Sequence, residues 1–397
     1  MLPLAAALLA VTIPSGPAGT AFYVPPNPLP AGTHGDVIWA RPLDTAAALP
    51  SAARNVLILY HTTTPAGADR AVSGTVAVPK GTPPRGGWPV VSWTHGTTGD
   101  GPACAPSLDT AGGAVHDYLG PIETVLDKLV GAGYAVVQTD YEGQGTPGVH
   151  PYLLGVPSAR DAIDMVRAAR QIDPALSTRW VVMGHSEGGH AALFAAAIAA
   201  EWAPELQLRG AVAEAPAAFV SVFIQAMTKA TTPGPSFAYA ALFMQAAAAA
   251  DPSVRLEQIL SPAAVALLPQ TLDRCSEALY GSNSWGGVVP ASAFRSGADL
   301  QPLLRVAAAG DAGPLKLKVP VLILQGTDDT TVPKRSSDAL DQALCANGAT
   351  VAYHVYAGLG HRAVVPAAAS DATAWIAARF AGTPAASNCG AAPTMHG

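Results

Sequence analysis

The chain has 397 residues, half of them hydrophobic and only 13% charged, against about a quarter charged in an average globular domain, so it can bury a sizeable core under a weakly charged surface. Its 28 acidic and 22 basic side chains leave a formal charge of -6, and no Lys/Arg cluster is present to displace counterions, which argues against a nucleic-acid partner. Length alone allows two average domains or one domain carrying a large insertion.

In chain order, Met1 to Ile13 forms a short apolar run that ends in small residues and Pro14. It resembles the apolar region of an export signal, although a positively charged start is missing. A cut after Ala21 is expected, leaving residues 1–21 as a signal remnant and placing the mature protein outside the cell. After a Pro-rich entry, three strand-like runs at Asp36–Trp39, Asn55–Thr62 and Ala71–Pro79 read as an antiparallel lead-in. From Val90 the pattern changes to buried strands (Pro89–Thr94, Tyr134–Thr139, Trp180–Met183, Gly210–Ala215) alternating with helix-length segments (Ile122–Val130, Ser158–Gln171, His190–Ala200). That alternation predicts an α/β fold, a mostly parallel sheet with helices on both faces.

The rhythm stops between Ala217 and about Ala312 and resumes with a strand at Val319–Leu324, a helix near Ser336–Ala343, a strand at Thr350–Val355 and a closing helix at Ala369–Phe380. The expected organisation is a core of residues 22–216 and 313–397 interrupted by an inserted helical cap at 217–312. Ala230 to Ala250 holds no charged residue, yet Pro233-Gly234-Pro235 breaks the run and Ser236–Ala250 is shorter than the ~20 residues of a membrane span. It is expected to be an apolar lid helix.

The chemistry concentrates at three places. Gly184-His185-Ser186-Glu187-Gly188 follows a buried strand and precedes an alanine-rich helix, the pattern of a nucleophile elbow that exposes Ser186 beside a helix N-terminus. After the strand ending at Leu324 comes Gln325-Gly326-Thr327-Asp328-Asp329, which offers Asp329 as the acid, with Asp328 bracing the turn. Gly358-Leu359-Gly360-His361 supplies the base after the next strand. The order Ser186, Asp329, His361 is that of α/β-hydrolases rather than of other serine-hydrolase folds. The backbone amide of Glu187 and an amide in Thr94–Gly99, assigned to Thr97 with Thr98 close behind, are expected to bind the oxyanion. Thr98 and Tyr141 are expected near the substrate pocket. His185 and His190 are poor rivals for the base, and His34, His61, His116, His150 and His354 read as ordinary surface or satisfied core. No H-E-x-x-H appears, so neither a metal nor a cofactor is expected.

Cys104, Cys275, Cys345 and Cys389 contain no C-x-x-C pair and fit two disulfides in an exported protein. Three pairings are open; Cys104 with Cys275 and Cys345 with Cys389 is favoured, the first tying an active-site loop to the insertion.

With Cys104-Ala105-Pro106-Ser107, Thr139-Asp140-Tyr141-Glu142-Gly143, Gly184–His190 and an insertion between the sixth and seventh core strands, the chain resembles the secretory lipase family of α/β-hydrolases. The resemblance covers most of the chain. It implies the same triad and disulfide pairing, and an acyl-binding role for the insertion. The oxyanion loop departs from it: His95-Gly96-Thr97 is closer to the His-Gly pattern of general esterases than to the acidic donor of the fungal enzymes. The expected activity is secreted serine ester hydrolysis through an acyl-enzyme, on a small-molecule or lipid ester, with transient contact to a lipid interface and no obligate protein partner. A prolyl-oligopeptidase-type peptidase, an acyltransferase and a non-catalytic hydrolase-fold binding protein are the alternatives.

Overall fold

Among residues 13–397, which the computed structural model describes, ten strands form one sheet. They are β1 (Val37–Pro42), β2 (Ala52–Thr63), β3 (Asp69–Pro79), β4 (Trp88–Thr94), β5 (Ala135–Thr139), β6 (Leu176–His185), β7 (Gln207–Glu214), β8 (Val321–Gly326), β9 (Val351–Tyr356) and β10 (Thr394–His396). Their spatial order is 1-2-3-5-4-6-7-8-9-10. β1, β2, β3 and β5 pair antiparallel, and every other neighbouring pair is parallel. The central strands read as continuous apolar runs because helices cover both faces. Side chains alternate accordingly: Val90, Val137, Val182 and Ile323 join one buried cluster, while Val91, Val136, Val181 and Leu322 join the other.

The first cluster lies under α2 (Val156–Ile172) and α3 (Glu187–Trp202), and the second under α1 (His116–Gly131) and the closing helix Val364–Phe380. Two helices begin earlier than the sequence pattern predicts. α1 starts at His116 rather than Ile122 and runs through Pro121 in its second turn, where the missing amide forgoes a hydrogen bond. The closing helix starts at Val364, with Pro366 in its first turn, a position that proline tolerates. β10 is too short to leave a periodic signal and was not expected. Residues 1–12, which carry most of the expected leader, lie outside the described residues. Farther along that stretch, the Ala40 amide donates to the Pro14 carbonyl and the Gly16 amide to the Ala40 carbonyl.

The chain between β7 and β8 folds into short helices with their own apolar centre, including Phe237, Leu242, Phe243, Trp285 and Leu303, joined by Tyr152 and Leu153 from the core. Its longest helix, α5 (Pro235–Ala250), is buried nearly all round. A helix apolar on every side belongs in an interior, and α5 is the central helix of this segment's own apolar cluster. Cys104 bonds Cys275 and Cys345 bonds Cys389. The first bridge is reinforced where the Ser276 amide donates to the Thr98 carbonyl at 2.8 Å, and Arg362 meets Glu277 at 2.5 Å. Among the described residues no helix is long and apolar enough to cross a membrane.

Candidate active site

Ser186 joins β6 to α3 with φ 59° and ψ -117°, a left-handed conformation that costs a side-chain-bearing residue of order 1–3 kcal/mol. The turn is held by hydrogen bonds from the Ser186 amide to the Glu214 carbonyl at 2.8 Å and from the His190 and Ala217 amides to the Ser186 carbonyl. Both flanking glycines are sterically required. A Cβ on Gly184 would strike Thr94 Oγ1 and the Gly188 carbonyl, and one on Gly188 would strike the Thr94 carbonyl.

The three chain-distant side chains meet at this turn. His361 Nε2 lies 2.9 Å from Ser186 Oγ, and His361 Nδ1 lies 2.7 Å from Asp329 Oδ2. Asp329 is fixed in turn: its Oδ1 accepts the Thr331 and Val332 amides at 2.9 and 2.8 Å, and Gln325 Nε2 donates to Oδ2 at 3.1 Å. Asp328 instead accepts from the Thr327 hydroxyl at 2.8 Å on the outer side of the turn. Glu187 opens α3, so its amide has no partner inside the helix. Among the described residues the Thr97 amide also lacks a protein acceptor, and Thr97 Oγ1 is 2.8 Å from the Tyr152 hydroxyl.

An open cleft adjoins Ser186. Its apolar wall comes from Phe219, Val220 and Phe223 at the start of the cap, with Val332 and Pro333 opposite; Val220 and Phe223 belong to α4 (Val220–Met227). From α5 only Tyr239 reaches it. Thr98 and Tyr141, expected at the pocket, are fully buried and absent from its lining. Tyr141, at φ 66°, donates its hydroxyl to the His95 carbonyl at 3.1 Å and supports the loop from behind.

A model of the secretory lipase family matches residues 121–284 and 294–388. The chain belongs to the secretory lipase family. A Mycobacterium tuberculosis protein named probable inactive lipase MT1628 is 26% identical over 385 residues, covering 93% of this chain and 83% of the relative. Lipase 6 of Candida albicans is 27% identical over 79% of this chain and 70% of its own. Among solved structures, Candida antarctica lipase A in its closed state gives a TM-score of 0.76 at 20% identity, over 92% of this chain and 86% of that one. The rice cell wall degrading esterase LipA from Xanthomonas oryzae gives 0.71 at 19%, over 88% and 98%. The fold is therefore that of α/β-hydrolases.

This secretory lipase family member carries polar features that the sequence pattern did not disclose. Gly96 N–H donates to the Tyr118 hydroxyl at 2.9 Å, Tyr118 lies 2.8 Å from His185 Nδ1, and His185 Nε2 lies 2.9 Å from the His361 carbonyl. That carbonyl can only accept, so His185 carries its proton on Nε2 and Tyr118 donates to Nδ1. Burial, then the neighbouring His361, hold the His185 ring well below the ordinary imidazole range, which keeps it neutral. One directed chain of bonds thus joins the loop after β4 to the backbone of His361.

Glu187, assigned for its amide, also buries its carboxylate, which meets His150 Nε2 at 2.5 Å. Burial works against a charge on His150, but Glu187 prevails and the ring is pushed up to about 9. Asp100, in the same buried region, has neither oxygen bonded, and burial pushes its carboxyl up to about 7. His190 Nε2 donates to the Gly310 carbonyl at 2.7 Å and ties α3 to the end of the cap. The two family motifs also meet: Asp140 accepts from Ser73 Oγ at 2.6 Å, from the Ser107 amide at 2.9 Å and from Ser107 Oγ.

Proposed function

We propose that this chain is a secreted serine carboxylic-ester hydrolase acting on hydrophobic esters. The observation that carries the reading is the continuous Ser186–His361–Asp329 contact at 2.9 and 2.7 Å beside an apolar cleft. Ser186 Oγ attacks the ester carbonyl carbon as its proton passes to His361 Nε2, while Asp329 accepts from Nδ1 and keeps the imidazole in the required tautomer. The amides of Glu187 and Thr97 stabilise the oxyanion. His361 then protonates the departing alkoxide, leaving an acyl-enzyme, and a water activated by the same histidine releases the acid.

The apolar cleft favours an acyl chain or another hydrophobic group, bound by desolvation. Two disulfides support an oxidising, extracellular setting. In this reading residues 217–312 act as the acyl-binding cap, and the oxyanion donors are both backbone amides. The inactive status in one relative's name favours a second reading, a hydrolase-fold protein without turnover. One experiment separates the two: p-nitrophenyl butyrate and octanoate hydrolysis by wild type and Ser186→Ala. The substitution is expected to lower kcat by at least about 10³ without changing the unfolding midpoint; equal rates, or no turnover in the wild type, would refute the proposal.

A further inference from the structure

β9 and β10 run side by side in parallel, with Thr394 opposite His354 and His396 opposite Tyr356. Because strand residues two apart share a face, His354, Tyr356 and His396 emerge together toward the closing helix, which turns Asp371 to meet them. His396 Nε2 lies 3.1 Å from His354 Nδ1, and His396 Nδ1 lies 3.5 Å from Asp371 Oδ2. The Tyr356 hydroxyl donates to the same Asp371 oxygen at 2.6 Å. One ligand atom from each of His354, Asp371 and His396 falls within 4.8 Å of the others. All three side chains are partly open to solvent.

We propose that His354, His396 and Asp371 bind a divalent transition-metal ion of the Zn²⁺ type, which fastens β10 to the rest of the sheet. Two imidazole nitrogens and one carboxylate select zinc and its transition-series neighbours over Ca²⁺ or Mg²⁺, which take all-oxygen shells. Nitrogens each about 2.0–2.1 Å from a tetrahedral zinc stand about 3.3 Å apart, close to the separation that the His354 and His396 rings already hold. Tyr356 orients Asp371 as outer-shell groups orient metal-binding carboxylates. Solvent exposure leaves room for water at a fourth position.

The ion would act at the last, shortest strand of the sheet. β10 has three residues, and the tail leading to it is tied upstream by the Cys345–Cys389 bridge and by Asn388, which bonds Val351 and Tyr353 of β9. His396 also accepts the Ala357 amide at 2.9 Å, so the ion would brace the start of the loop that ends at His361. Spacing could not disclose this cluster, since its histidines stand 42 residues apart and its carboxylate comes from a third element.

The test is titration of chelator-treated, full-length protein with ZnCl₂ by calorimetry, with thermal unfolding measured in parallel and Co²⁺ absorption as an independent readout of the ligand set. One ion per chain is expected, with roughly micromolar affinity and a midpoint raised by several degrees, reversed by EDTA. His354→Ala and His396→Ala should each weaken binding by about 100-fold or more, and Tyr356→Phe by about 10-fold. Metal-free midpoints of these variants close to wild type establish that they remain folded. His361→Ala should bind as wild type does, which separates this site from the catalytic one and the test from the esterase reading. Failure of the wild type to bind one ion or to give a Co²⁺ spectrum overturns the proposal. So does binding that survives both histidine substitutions or disappears with His361→Ala.

Discussion

Replacing Tyr118 by Phe removes one oxygen from an almost fully buried ring and breaks the bond chain between Gly96 and His185. Two groups lose their partner, the Gly96 amide and His185 Nδ1. Each orphaned buried group costs about 1–3 kcal/mol, so stability should fall by about 2–6 kcal/mol if nothing relaxes. The kinetic effect follows from position, because Gly96 is adjacent to Thr97 and His185 holds the His361 carbonyl. Complete loss of one oxyanion donor is worth about 10²–10³ in kcat. A tilted donor and a loosened base should therefore lower kcat by roughly 10–100-fold, with KM nearly constant because the cleft lining is untouched. The assay is steady-state hydrolysis of p-nitrophenyl butyrate, paired with urea unfolding. A kcat within about twofold of wild type together with a lowered unfolding midpoint would show that the hydroxyl supports the fold alone and would refute the link to catalysis.

Asp329→Asn should lower kcat by about 10³–10⁴ while leaving KM and the unfolding midpoint near wild type, since orientation of the imidazole is lost and the turn is kept; steady-state kinetics checks it. The raised carboxyl of Asp100 retains a proton in the folded state that the unfolded chain releases near pH 4, so stability falls as pH rises from about 4 to about 7. His150 adds a loss of the same sign between about 6.5 and 9, because its stabilising charge disappears as pH rises through the folded value. Asp100→Asn is expected to raise stability at pH 8 by on the order of a few kcal/mol and to flatten the profile from 4 to 7, measured by urea unfolding across pH; an unchanged profile would count against a buried, unpaired Asp100. Phe223→Ala should raise KM for octanoate by about 10-fold and barely alter it for butyrate, from loss of about 1–2 kcal/mol of apolar contact, read from a chain-length series.

The meeting of Ser186, Asp329 and His361 could be anticipated from the sequence because each sits in a local pattern dictated by steric need. Gly184 and Gly188 must lack side chains for the elbow to close, and Asp329 and His361 follow strands buried on both faces. The mostly parallel sheet was legible for the same reason. The supporting shell was not, because it depends on register between distant elements. Tyr118 looks like any core residue of an amphipathic helix, and the Glu187–His150 contact joins two segments with no shared periodicity. The surroundings of α5 were not legible, because an apolar run states that a helix is buried without stating against what. Phe219 and Phe223, at the beginning of the insertion, form the apolar wall of the cleft, to which α5 adds Tyr239.

Residues 275–277 are fastened to the catalytic rim three times, by sulfur, by backbone and by charge. Three independent attachments hold that corner in place, whereas α4, which lines the cleft, leaves Val222 61% exposed. Reduction of the Cys104–Cys275 bridge would leave that corner tied by the Ser276–Thr98 hydrogen bond and the Glu277–Arg362 ion pair.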